Sequence, residues 1–128
     1  MAKSADRLKR LVRLQRQIKA LHETKHATYL SRAAAAGQEA DELVESLNAA
    51  SPVPGLFPDL YNRRIAGAME RQQRETLHAE AEAKRVATAR ARTDIVERAW
   101  REAAQGEARQ SEDKERLEIV ERGLTDRK

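Results

Sequence analysis

A short cluster of prolines divides the chain into two parts. Pro52, Pro54 and Pro58 are the only prolines among the 128 residues, and all three lie within residues 51–58. Proline has no backbone N–H to donate, and it forces the preceding residue out of the helical region of backbone conformation. No helix is therefore expected to run through this stretch, and the cluster predicts two segments joined by one hinge.

Both segments have the composition of long helices. They are rich in Ala, Glu, Arg, Gln, Lys and Leu, which have high helix propensity, and neither shows the alternating pattern of a strand. We predict one helix over about residues 4–49, starting at Ser4, and a second over about residues 59–122, with Asp59 as its N-cap and Gly123 as its stop. Folding back at the hinge gives a single all-α domain, an antiparallel coiled-coil hairpin whose longer second helix overhangs the first.

Heptad spacing predicts which side chains of the first helix lie between the two helices. Two stretches follow spacings of three and four residues: Leu11, Leu14, Ile18 and Leu21, then Leu30, Ala33, Ala40, Val44 and Leu47. Because these stretches are out of phase, we expect a stutter or local unwinding over residues 22–28. Counting outward from the hinge places Leu30 roughly opposite residue 80.

The second helix offers one continuous seam of the same spacing. It begins at Ile65 and passes through Ala68, Gln72, Glu75, Ala79, Glu82, Val86, Ala89, Val96, Trp100, Ala103, Glu107, Gln110, Lys114, Leu117 and Leu124. Small and polar side chains are frequent in this list. They predict a thin, marginal contact between the helices.

Composition argues against several classes of function. The absence of cysteine excludes disulfides, thiolate metal sites and cysteine nucleophiles. Aromatic residues make up only 3% of the chain and charged residues 36%, which argues against the large core of a compact enzyme. No apolar run approaches the roughly 20 residues of a membrane span. We therefore expect a soluble, cytoplasmic, non-enzymatic protein without a cofactor or a small-molecule substrate.

One short motif in the first helix matches the spacing of a metal-binding site. Residues 22–26 read His-Glu-Thr-Lys-His, the H-E-x-x-H spacing that places two imidazoles and a carboxylate of a zinc protease on a helix. A third ligand is missing, because Arg32 stands where a third histidine would follow. Glu42 and Glu45 lie some 24 to 30 Å further along a straight helix. We predict a solvated polar stretch with no catalytic or metal-binding residue, and incidental metal binding is left open.

Positive charge is concentrated at the N-terminus. Residues 1–19 hold seven basic residues against one acid, a net charge of +6, whereas the whole chain carries +4. Five of them recur every three residues and wind slowly around the first helix: Arg7, Arg10, Arg13, Arg16 and Lys19. Such a row attracts nucleic acid, anionic lipid or an acidic protein surface, and it also occurs as a merely solvated face. No aromatic residue lies among these arginines, which argues against nucleic acid or membrane and favours a protein partner.

Three features together resemble a known family. They are the Arg-Leu-Lys-Arg-Leu-Val-Arg-Leu run of residues 7–14, the mid-chain break, and Trp100-Arg101-Glu102 late in the second helix, followed by Arg116-Leu117. In this pattern, which covers nearly the whole chain, the protein resembles the flagellar export protein FliJ and its injectisome relatives, the YscO group. The proline-rich loop is more pronounced here than in that family.

The resemblance implies a stalk similar to the central stalk of rotary ATPases, with no catalysis of its own. Its implied partners are the ring of the type III export ATPase, the export gate and export chaperones, so its place is the cytoplasm, peripheral to the inner membrane through the export apparatus. The candidate partner-binding residues are Arg7, Arg10, Arg13, Arg16, Lys19, Trp100 and Arg101. A generic coiled-coil scaffold or adaptor is the alternative, followed by a basic nucleic-acid-associated protein.

Overall fold

The computed structural model describes residues 4–49 and 57–126, which form two α-helices and no strand. Helix α1 is Ser4–Asn48 and helix α2 is Pro58–Asp126, with 45 and 69 residues. The two helices pack against each other, so the predicted all-α hairpin with a longer second helix is confirmed. Most of the predicted hinge of residues 51–58 lies outside the described residues, which omit residues 50–56.

Both ends of α2 differ from the prediction by a few residues. Pro58, assigned to the hinge, is the first residue of α2, where its missing N–H costs nothing. The predicted stop at Gly123 is wrong, because α2 continues to Asp126 and no described glycine has the positive φ of a glycine-terminated helix. Glycine inside a helix costs only about 1 kcal/mol relative to alanine, so one glycine need not end it.

Contacts between the helices divide the chain into two compact units. Unit 1 consists of residues 1–18 and 89–128, and unit 2 consists of residues 19–88. Within the described part of each unit, α1 and α2 run antiparallel. Each unit has a core built mainly from small side chains.

In unit 1 the buried side chains are Ala5 and Val12 from α1 and Ala89 and Thr93 from α2. The Thr93 hydroxyl donates to the Ala89 carbonyl oxygen at 2.7 Å, which satisfies it inside the core. At the start of α1 the Ala5 N–H donates to Glu107 Oε1 at 3.1 Å. This bond satisfies one of the N–H groups that a helix N-terminus leaves unpaired.

In unit 2 alanine again dominates the contact between helices. The buried residues are Ala33, Ala36, Ala40 and Leu43 from α1 and Ala68, Ala79, Glu82 and Val86 from α2. Gly37 allows a particularly close approach, because a Cβ atom there would lie 2.6 Å from Nε2 of Gln72. Small residues at these positions bring the backbones together but bury little apolar area.

The buried face of α1 matches the prediction only in part: Ala33 and Ala40 are buried and Ile18 and Leu47 half-buried, but the other five predicted seam residues are exposed. Val12 is 2% exposed whereas Leu11 and Leu14 are exposed, and Leu43 is buried whereas Val44 is exposed. The less exposed positions follow one uninterrupted three-and-four spacing: Ala5, Leu8, Val12, Gln15, Lys19, His22, His26, Tyr29, Ala33, Ala36, Ala40, Leu43 and Leu47. The predicted stutter is therefore wrong. Polar side chains occupy this seam because groups on α2 pair with some of them.

The predicted seam of α2 is confirmed as far as Glu107, except at Gln72, which is exposed. Ala68, Ala79, Val86 and Ala89 are buried, and Val96, Trp100 and Ala103 are half-buried. Every residue from 108 to 126 is exposed, including Leu117 and Leu124, which the seam prediction had included. Over the described residues, neither helix has the length and apolar character that would let it cross a membrane.

Candidate functional site

Three arginines of α1 in unit 1 present positive charge to solvent. Arg7, Arg10 and Arg13 are exposed, and among the described residues none forms an ion pair with them. Their guanidinium groups are therefore hydrated and can meet a partner without first breaking an internal contact. We call these three residues the basic row.

Arg16 differs from the basic row, although it continues the same spacing. Its Nη2 and Nε groups donate to Glu97 Oε1 on α2 at 2.8 and 2.9 Å. Arg101 also approaches Glu97, with 3.9 Å between its Nη2 and Oε2. Glu97 thus lies between two arginines, and Arg16 contributes to the contact between helices within unit 1.

Two other candidate residues are less accessible than the prediction required. Trp100 is half-buried on the α2 seam of unit 1. Lys19 is half-buried and belongs to unit 2. The seven candidates therefore separate into the exposed basic row, the ion-paired Arg16 and Arg101, and two residues of the seam.

Unit 1 also exposes two sets of large apolar side chains. The N-terminal stripe consists of Leu11, Leu14 and Ile18 on α1, of which Ile18 is half-buried. The C-terminal stripe consists of Leu117, Val120 and Leu124 on α2, all exposed. Heptad spacing had assigned all three residues of the N-terminal stripe, and Leu117 and Leu124 of the C-terminal stripe, to the internal seam.

The seam of unit 2 contains a buried charge. Glu82 is 3% exposed, yet its Oε2 lies 2.7 Å from His22 Nδ1 and its Oε1 accepts from Arg85 Nη1 at 2.7 Å. Burial by itself raises the pKa of Glu82, but the hydrogen bonds and charges of His22 and Arg85 outweigh it. The pKa of this carboxyl therefore lies below its ordinary value of 4.5.

Next to this pair, aromatic rings stack across the seam. The Tyr29 and His78 rings lie 5.0 Å apart at an angle of 24°, and the Arg32 guanidinium carbon lies 5.8 Å from the centre of the Tyr29 ring. This geometry suits a cation–π contact. Nearby, Glu75 Oε2 is buried without a hydrogen-bond partner among the described residues.

The His-Glu-Thr-Lys-His motif belongs to this seam and is not the solvated stretch that we predicted. His22 and His26 are half-buried, and His22 contacts Glu82. Among the described residues, no three side chains of the His, Asp or Glu type are arranged to hold a metal ion. In this structure the motif therefore contributes to the contact between helices.

Three depressions on the surface of the described residues are open to solvent. Two of them, of about 380 and 520 Å³, are lined by side chains of α2 alone. A smaller one of about 250 Å³ lies between the helices of unit 2, beside Arg32, Glu39 and Arg71. Arg71 Nη2 donates to Glu39 Oε2 there at 2.8 Å, which already pairs those charges.

Comparison of the chain with protein-family models, curated proteins and solved structures finds no match in any of the three. The resemblance to the FliJ and YscO group therefore depends on the sequence features given above.

Two residues that form ion pairs in the structure were not predicted from the sequence to do so. Glu97 bridges Arg16 and Arg101, and Glu82 anchors His22. Each had a visible signal, since Glu97 precedes Arg101 by four residues and Glu82 lies on the predicted α2 seam. Their partners on α1 were missed because that helix was assigned the wrong buried face.

Proposed function

We propose that this chain is a non-enzymatic coiled-coil stalk, a coupling component of a bacterial flagellar or type III protein export apparatus. In this proposal it binds the ring of the export ATPase and assists export without carrying out chemistry. The observation that supports it most is the basic row, Arg7, Arg10 and Arg13, which is exposed and has no ion-pair partner among the described residues. The resemblance to FliJ and YscO supplies the identity of the partner.

The charge of this surface suits a reversible contact. Exposed ion pairs are individually weak, about 0 to 1 kcal/mol, and salt screens them. A stalk that meets successive subunits of a ring needs such contacts, because a large apolar interface with one subunit would hold it in place. Charge complementarity also guides approach and orientation more than it adds affinity.

The same proposal covers the remaining partners and the location. The export gate and the export chaperones are further protein partners, and the chain lies in the cytoplasm, beside the inner membrane only through the export apparatus. No small molecule or nucleic acid is required. Trp100 and Arg101 are proposed to act mainly by shaping α2 in unit 1, since one is half-buried and the other approaches Glu97.

Binding to the immobilised cognate export ATPase tests this proposal. The test variant is Arg7→Glu/Arg10→Glu/Arg13→Glu, which leaves the Arg16–Glu97 pair intact. The matched control reverses three exposed arginines of unit 2: Arg63→Glu, Arg64→Glu and Arg74→Glu. Both variants lower the net charge by the same amount. We expect the test variant to bind about tenfold more weakly or worse, and the control to bind within about twofold of the wild type.

The alternative, a generic coiled-coil scaffold or adaptor, is favoured by the two exposed apolar stripes of unit 1. If neither the wild type nor the control binds the ATPase, the stalk proposal fails and the scaffold takes its place. The same instrument with duplex DNA addresses the nucleic-acid alternative, whose affinity would fall log-linearly with salt.

A further inference from the structure

The two apolar stripes of unit 1 lack a neighbouring helix. Leu14, in the middle of the N-terminal stripe, is 50% exposed, and Leu117, at the start of the C-terminal stripe, is 63% exposed. These side chains are larger than the buried ones in the described part of unit 1, which are Ala5, Val12, Ala89 and Thr93. Two sets of large apolar side chains with coiled-coil spacing are therefore left open in unit 1.

The two stripes have the same spacing. Leu11, Leu14 and Ile18 are separated by three and then four residues, and so are Leu117, Val120 and Leu124. Helices with such stripes pair by inserting the side chains of one between those of the other. In a parallel pair, Leu11 lies beside Leu117, Leu14 beside Val120, and Ile18 beside Leu124.

The charges around the stripes favour this alignment. The alignment places Arg7 beside Asp113. It also places Glu121 five positions beyond the residue aligned with Arg10, and parallel coiled coils form ion pairs between helices at this spacing. Both Arg10 and Glu121 are exposed. The alignment therefore adds two contacts between opposite charges to three apolar layers.

Pairing either stripe with its own copy is less favourable. Two N-terminal stripes in parallel register bring Arg7 beside Arg7, and two C-terminal stripes bring Asp113 beside Asp113. Like charges at such positions oppose association. The segment around the N-terminal stripe, residues 4–18, has a net charge of +4, whereas residues 112–121 around the C-terminal stripe carry −3.

One chain cannot form this contact by itself. Within unit 1 the helices are antiparallel, since Ala5 contacts Glu107 while Arg16 contacts Glu97. The alignment described above requires parallel helices, so the occupant of each stripe must come from another molecule.

We propose that two copies of this chain form a dimer in which the N-terminal stripe of each packs in parallel on the C-terminal stripe of the other. Each copy offers both stripes, so the contact is reciprocal and closes with twofold symmetry. The dimer covers Arg7 and Arg10, and it therefore competes with any partner that binds the basic row.

Molar mass from light scattering at increasing protein concentration tests the dimer. The wild type is expected to approach twice the 14.5 kDa of one chain. Glu121→Arg is expected to weaken association about tenfold or more, and adding Arg10→Glu to that variant restores the opposite-charge pair and with it the dimer. The control is Glu115→Arg, an equal charge change on the opposite side of α2, which should leave the mass unchanged.

Cross-linking locates the contact independently, because the chain has no cysteine of its own. Under mild oxidation, a Leu14→Cys/Val120→Cys variant should form a covalent dimer. The control Leu14→Cys/Ile95→Cys should not, since Ile95 is exposed but lies outside both stripes. A mass of one chain at every concentration would overturn the proposal. The proposal would also be overturned if the protein forms a dimer that persists in the Glu121→Arg variant and does not cross-link through residues 14 and 120.

The dimer does not depend on the proposed function. Its test contains no export ATPase, so the stalk proposal stands or fails separately.

Discussion

His22 Nδ1 lies 2.7 Å from Oε2 of Glu82, a carboxylate that is almost fully buried between the two helices of unit 2. Arg85 holds the other oxygen of the same carboxylate at 2.7 Å. A buried charge is tolerated only where such partners replace its hydration. This relationship gives a metal-like sequence motif a structural role and makes the fold sensitive to acid.

Glu82 predicts a specific pH dependence. Its pKa is lower in the folded chain than its ordinary value of 4.5, so the unfolded chain binds this proton more readily. The stabilisation is complete above about pH 4.5 and is lost as the pH falls through the folded value. The urea midpoint should therefore fall less between about pH 5 and about pH 3 in Glu82→Gln than in the wild type. Glu80→Gln, an exposed neighbour, should keep the wild-type pH dependence. Equal pH dependence in Glu82→Gln and the wild type would refute this role.

Leu43 and Val44 test which face of α1 is buried. Leu43 is 9% exposed and Val44 is 40% exposed. Leu43→Ala should lower the free energy of unfolding by about 2 kcal/mol, because it removes buried apolar area and leaves a cavity. Val44→Ala should change it by less than about 0.5 kcal/mol, since alanine also has the higher helix propensity. Urea unfolding followed by circular dichroism measures both, and the reverse order would mean that the predicted face is the buried one.

The Arg16–Glu97 pair should make a small, salt-sensitive contribution. Its side chains are 56% and 20% exposed, so a double-mutant cycle with Arg16→Gln and Glu97→Gln should give a coupling of about 0.5 to 1 kcal/mol at low salt. The Arg116–Asp113 pair, at 3.8 Å and largely exposed, serves as the control and should show almost none. Equal coupling in both pairs would mean that the bond between helices adds nothing.

Replacement of Gly106 and of Gly37 by alanine should change the stability of the protein by different amounts. Nothing lies within 4 Å of a Cβ atom built on Gly106, so Gly106→Ala should stabilise the protein by about 0.5 to 1 kcal/mol. Gly37→Ala should gain less, because its Cβ would lie 2.6 Å from Nε2 of Gln72 and that side chain must move. Adding Gln72→Ala should recover part of the difference. Thermal unfolding measures the three variants, and an equal gain at both glycines would show that the approach of Gln72 has no cost.

The sequence was sufficient to predict the two helices, most of the α2 seam and approximately which residues of α1 and α2 lie opposite each other. Three prolines located the break, and spacing from Ile65 selected positions that are buried or half-buried at Ala68, Ala79 and Val86. Counting from the hinge put Leu30 opposite residue 80, within about one helical turn of the observed stacking of Tyr29 on His78.

The buried face of α1 could not be read from apolar size. Leu11 and Leu14 are larger than Ala5 and Val12, yet Ala5 and Val12 are the buried residues. Groups on α2 accompany the observed choice, including Glu97 with Arg16 and Glu82 with His22. Which residues pair across the helices depends on how two distant segments of the chain align. The sequence pattern of one helix alone does not specify that alignment.

The candidate partner-binding residues also divide into those whose environment follows from the sequence pattern of α1 and those whose environment depends on α2. Exposure of Arg7, Arg10 and Arg13 follows from charge on an amphipathic helix. The internal pairing of Arg16 and the partial burial of Lys19 depend on what faces them, so spacing alone placed both in the accessible row.

The ATP hydrolysis rate of the cognate export ATPase, titrated with this protein at moderate salt, tests the central claim most directly. A saturable rise is expected with the wild type and with the Arg63→Glu/Arg64→Glu/Arg74→Glu control. No rise is expected with Arg7→Glu/Arg10→Glu/Arg13→Glu. A rate that the wild type leaves unchanged, or that all three proteins raise equally, would contradict a stalk that acts through its basic row.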